Sequence, residues 1–173
     1  MNSRHTTPIG DSCILPRMKH RIASFAPLLF LAGCSADPLV GAWQSRVTAT
    51  EGYVSTLKDL EFSYVFNQGG TMTESSNYDG APPVPPAYGI WRSLGSGLYE
   101  TKYLFYTTQP PERLEQLTQG WGPAGHGEIV EQIRLSPNRK SFESTMTLQL
   151  FDPSGNVVPG GGTAKGHGTR IEF

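Results

Sequence analysis

Cysteine is nearly absent from the chain: 173 residues contain only Cys13 and Cys34. Neither sits in a Cys-x-x-Cys pair or beside a Cys/His cluster, so the spacing of a structural zinc site is missing. Charge is sparse, at 17% of residues, and no block of one sign occurs, which argues against a nucleic-acid-binding surface. The main apolar run, residues 22–33, falls short of the about 20 apolar residues that a spanning helix needs. Neither Gly-x-Ser-x-Gly nor His-Glu-x-x-His occurs. What is abundant is turn-forming residues, with Gly 20 and Pro 14, a mix suited to short strands joined by many turns. The length leaves room for one domain.

The N-terminal apolar run has the three parts of an export signal. Lys19, His20 and Arg21 are the positive start, residues 22–30 the apolar stretch, and Ala32 and Gly33 the small residues before Cys34. Leu31-Ala32-Gly33-Cys34 in this position resembles the lipobox of bacterial lipoproteins. The resemblance implies cleavage before Cys34, lipid attachment to that cysteine, and a membrane as partner through the lipid. Residues 18–33 are then the signal peptide and residues 34–38 the lipidated cysteine and its tether. Residues 1–17, polar and patternless, are expected to be an upstream extension with translation starting at Met18. The remaining 34–173 carry ten basic and fourteen acidic residues, so attachment by charge to an anionic membrane face is not expected and the lipid does the anchoring. Ser35 after the cysteine, by resemblance to the enteric sorting rule, implies the outer membrane facing the periplasm. An exported chain whose one cysteine is acylated has no intrachain disulfide, so its core and sheet alone must hold it together.

From residue 39 onward the apolar pattern has period two, the signature of half-buried strands. Strands are predicted over 39–48, 57–67, 71–78, 87–94, 98–108, 127–136, 141–151 and 162–173. Leu60, Phe62, Tyr64 and Phe66 share one face of the second, with Glu61 and Ser63 opposite. In the sixth, Ile129, Glu131, Ile133 and Leu135 alternate with Val130, Gln132 and Arg134. Gly69-Gly70, Gly95-Ser96-Gly97 and Asp152-Pro153-Ser154-Gly155 read as turns, and the four prolines within 79–89 as a stiff rim loop. Tyr103-Leu104-Phe105-Tyr106 is apolar on both faces, so a cover over its outer side is expected. Pro110-Pro111-Glu112 with Leu114, Leu117 and Trp121 at helical spacing predicts a short helix near 111–119 as that cover, packed on the wall or lidding an open end. Eight short strands with hairpin-length connections predict an all-β, antiparallel up-and-down barrel, which leaves no free edges. A β-sandwich is the competing arrangement, disfavoured by the lack of a long crossover.

The two ends of this domain, "LVGAWQ" and "GTRIEF", resemble the lipocalin or calycin pattern of Gly-x-Trp on the first strand with an Arg on the last. The layout over 39–173 is closest to uncharacterised lipocalin-like bacterial lipoproteins, although no Thr-Asp-Tyr-like turn occurs in mid-chain. The resemblance implies that Gly41, Trp43 and Arg170 are structural, Trp43 plugging one end of the barrel and Arg170 lying across it. Opposite the small residues of the last strand, Phe62, Tyr64, Phe66, Phe142 and Met146 are the candidate cavity lining; they either fill the interior or border a void.

Chemistry is thin. Past residue 33 the histidines are His126, in a glycine-rich stretch read as loop, and His167, which points outward if Arg170 points inward. "PGGGTAKG" lacks the Gly-Lys-[Ser/Thr] of a phosphate loop and reads as a turn. Asp59, Glu61 and Glu100 are scattered. No catalytic residue, cofactor or metal site is expected. The expected function is a lipid-anchored envelope barrel binding a small apolar or amphipathic ligand; a filled barrel docking a protein partner is the alternative.

Overall fold

The computed structural model describes residues 36–78 and 85–173. The signal, the lipobox and the centre of the proline loop lie outside the described residues. Eight strands follow in chain order: β1 (Gly41–Ala49), β2 (Leu60–Phe66), β3 (Thr71–Ser76), β4 (Ala87–Gly95), β5 (Leu98–Gln109), β6 (Gly122–Leu135), β7 (Ser141–Phe151) and β8 (Val157–Arg170). Each pairs antiparallel with the next and β8 returns to β1, giving a closed up-and-down barrel compatible with a lipocalin-like fold.

Alternation sets the faces. In β2, Leu60, Phe62, Tyr64 and Phe66 are buried, while Ser63 and Val65 between them are exposed. A one-residue slip would turn this apolar set into water, so the register is strongly specified. The outer face carries cross-strand ion pairs such as Arg92–Glu100 at 2.5 Å and Lys102–Glu128 at 2.8 Å. These exposed pairs favour the register and add little stability. The tight turns use the chemistry their geometry demands. Asp152 Oδ1 accepts hydrogen bonds from the backbone N–H groups of Ser154 and Asn156, and Gly155 takes the positive φ (83°) that closes the turn.

Odd-numbered strands run from one end of the barrel to the other and even ones return. One end, the base, gathers Leu39, Trp43, Phe66, Met72, Tyr99, Leu135 and Phe142, all buried. The opposite end, the mouth, is where the walls part.

Three local expectations are corrected. The short helix is only a 3-10 turn, Leu114–Gln119, with a second such turn at Tyr53–Thr56. Arg113 before the first turn is extended and gives no side-chain cap, and Gly120 ends it at φ 85°. Six residues without a cap are too few for a stable α-helical nucleus. The turn does not cover β5 either: Leu117 is 48% exposed, Trp121 37% and Tyr106 59%. β6 and β8 each begin five residues earlier than their patterns suggest. The "PGGG" stretch and His126 therefore lie in strands rather than in a turn and a loop. Glycine there permits close strand approach: a Cβ on Gly161 would stand 2.5 Å from the Leu148 carbonyl oxygen, and one on Gly162 2.1 Å from that of Glu51.

Candidate ligand-binding site

The base is sealed from the two ends of the domain. Trp43, fully buried, donates its indole N–H to the Leu39 carbonyl at 2.9 Å and packs on Phe142 with ring centroids 5.2 Å apart. The register sets Trp43 opposite Arg170, whose guanidinium carbon stands 4.2 Å from the indole centroid. Arg170 also donates through Nε to the Arg139 carbonyl (3.0 Å), through Nη1 to that of Val40 (2.9 Å) and through Nη2 to that of Pro38. Gly41 leaves room for this: its φ is 136°, and a Cβ there would come within 2.6 Å of Arg170 Nη1.

Above the base lies a layer of buried polar groups. Glu131 on β6 is fully buried, with the Tyr103 hydroxyl donating to its Oε2 at 3.2 Å and the Tyr64 hydroxyl reaching Oε1 at 3.5 Å. Ser45 and Ser144 flank Gly166, where a side chain would strike both hydroxyls, and Thr101 is fully buried on β5. Glu74 on β3, 6% exposed, completes the layer, and its Oε1 has no hydrogen-bond partner among the described residues. Burial pushes the Glu131 carboxyl up to about 7 against the opposing pull of the Ser144, Tyr103 and Tyr64 hydroxyls. Burial, then the charge of Glu131, pushes Glu74 up to about 8. The Tyr64 and Tyr103 hydroxyls are raised well above the usual range, first by burial and then by Glu131.

Between this layer and the mouth is a cavity of about 390 Å³. Its wall is mostly apolar and includes Val47, Leu60, Phe62, Phe105, Ile129 and Met146, and Glu74 belongs to it. Tyr78, Pro85 and Pro86, on either side of the undescribed part of the proline loop, line it as well. The volume falls at the small end of the roughly 300–1,000 Å³ typical of ligand pockets.

The predicted lining therefore divides. Phe62 and Met146 border the cavity, whereas Tyr64, Phe66 and Phe142 pack into the base and the polar layer. Gly168 explains the packing of Phe142: its missing side chain is replaced by the Phe142 ring, within 2.2 Å of where a Cβ would stand. His167 points outward, its Nδ1 2.6 Å from Glu143 Oε1, and His126 stacks on Phe151 with centroids 4.8 Å apart. Neither belongs to the cavity wall. Asp59, Glu61 and Glu100 are likewise outside it. Among the described residues no three His, Cys, Asp or Glu side chains stand close enough to hold a metal.

Glu74 and Glu131 are the site residues that sequence reasoning missed. Their signal was phase: each falls in step with the inward residues of its strand, Glu74 with Met72 and Glu131 with Ile129 and Ile133. An acid on the apolar phase of a barrel strand is an interior acid. The sequence matches no protein-family model and no curated protein.

Proposed function

We propose that this is a lipid-anchored envelope protein of lipocalin-like type, held through Cys34 in the outer membrane facing the periplasm, whose barrel binds a small apolar or amphipathic molecule. The observation that carries the binding reading is the 390 Å³ cavity with its apolar wall above a sealed base. A barrel built only as a scaffold would be expected to fill its interior, because an empty apolar volume forfeits packing energy. Arg170 and Trp43 are structural in this reading, and the interior acids set polarity rather than perform a reaction.

The test is mass spectrometry of protein extracted from its native membranes. The expected result is a diacylated or triacylated Cys34 at the new N-terminus and a co-purifying apolar compound, displaceable by a polarity-sensitive dye. An unlipidated chain refutes the anchor. A barrel that retains nothing and gives no dye response refutes the binding.

The docking alternative draws on the outer wall, where Tyr88 and Ile90 on β4 are more than half exposed. Its premise of a filled barrel does not agree with the cavity.

A further inference from the structure

Glu74 gives the cavity a chemical sense that its volume does not. Most of the wall is apolar, so a guest gains by burying hydrocarbon. At the inner limit of that wall stands a carboxyl that is nine-tenths buried, with one oxygen lacking any partner among the described residues. A polar atom left so is costly, and the cost is recovered by a guest that brings a donor. No Lys, Arg or His belongs to the cavity wall among the described residues. Glu131 from β6 is the charged group that acts on Glu74, and Glu74 in turn raises Tyr64 from β2 and Tyr103 from β5 in the same layer; Tyr78 and Tyr106 are the other titratable side chains of the cavity wall. On β4 its register partner is the apolar Ala87. None of these can supply a positive charge, and ionising either acid adds negative charge to an enclosed site.

Resting on the binding reading above, we propose that the cavity selects hydrophobic amines, the hydrocarbon lying along Phe62, Phe105 and Ile129 and the ammonium group meeting Glu74 at the floor. An ammonium offers three donors to the unpartnered oxygen and the one charge the layer lacks. A carboxylate of the same shape brings negative charge and no donor: it is repelled once Glu74 ionises, and while Glu74 is protonated it gains one hydrogen bond against the cost of burying its own charge. Because burial and Glu131 keep Glu74 protonated near neutral pH, an entering ammonium expels that proton, and binding tightens as pH rises from 6 to 8.5.

The experiment is calorimetric titration of the full barrel domain with octylamine, octanol and octanoate, each below its aggregation limit. Octylamine is expected to bind at least about tenfold tighter than octanol, the equivalent of about 1.4 kcal/mol, with octanoate weakest. In Glu74→Gln the amine-to-alcohol ratio should collapse to within about threefold, or about 0.65 kcal/mol. Where that variant does not fold, wild-type titrations in buffers of different ionisation enthalpy decide: octylamine must release close to one proton near pH 7, and octanol none. Octanol or octanoate binding as well as octylamine overturns the amine inference and leaves the cavity reading standing. If none of the three binds, the cavity reading itself fails.

Discussion

Replacing Arg170 by alanine removes four interactions at one stroke. The guanidinium lies 4.2 Å over the Trp43 ring and donates to three carbonyls, those of Pro38, Val40 and Arg139. The cation–ring contact, desolvated on its indole side, is worth about 1 kcal/mol. Hydrogen bonds from a charged donor contribute about 1.5–3 kcal/mol when buried, but Arg170 is half-exposed and water can replace it at the freed carbonyls, so about 0.5–1 kcal/mol each is appropriate. The sum is about 3 kcal/mol, which for a domain of this size lowers Tm by roughly 10 °C. Arg170→Lys keeps the charge but cannot serve three carbonyls at once, and should recover no more than half of that loss. Urea denaturation followed by near-ultraviolet circular dichroism reads both stability and the packing of Trp43. A double-mutant cycle with Trp43→Leu should return a coupling of about 1 kcal/mol. An Arg170→Ala protein within about 0.5 kcal/mol of wild type, or a lysine variant indistinguishable from it, would refute the view that this clasp seals the base.

Three further outcomes are expected. Glu131 and Glu74 titrate at about 7 and about 8 in the folded chain against 4.5 unfolded, so the folded state holds protons that the unfolded chain has released. Their contribution is fully present below pH 4.5 and is lost as pH rises through 8, by up to about 1.4 kcal/mol per pH unit for each group; Tm should be higher at pH 5 than at pH 8.5, and Glu74→Gln with Glu131→Gln should flatten the difference. Gly168→Ala drives a methyl group into the Phe142 ring, which is itself fully buried, and should cost about 1–3 kcal/mol in urea denaturation. His167→Ala breaks only an outer-face contact with Glu143, both side chains being more than half exposed, and should change stability by less than about 0.5 kcal/mol.

Strand parity carried most of the fold into view. Where one face is wet and the other packed, as in β2 and β7, alternation marks both the strand and its inward residues, and the eight-strand barrel follows. Parity failed where glycine hides it. The starts of β6 and β8 have few side chains to alternate, and their pairing depends on how closely neighbouring backbones approach, a property of the assembled sheet. Three apolar positions at helical spacing predict the helix over 111–119, but spacing says nothing about whether a wall is there to receive them, and Leu117 and Trp121 remain 48% and 37% exposed. The base pair Trp43–Arg170 was legible by resemblance. The interior acids were legible by phase alone, yet a carboxyl counts as a surface residue unless its phase is weighed above its polarity. The division of the lining into plug and cavity was not legible, because it depends on height along the barrel rather than on face.

An even number of strands brings the chain in and out at the same end. Leu39 leads into β1 at the base, and β8 finishes there, with the Ile171 N–H bound to the Ala42 carbonyl at 3.0 Å. A pull between the two ends would therefore load the β1–β8 seam as a zipper, rung by rung, rather than shear it as a whole. The outermost side-chain rung is Trp43 with Arg170. The same contact that plugs the base is thus the latch that a pull on the two chain ends loads first, while the mouth lies at the far end of the seam and is the last to feel that load.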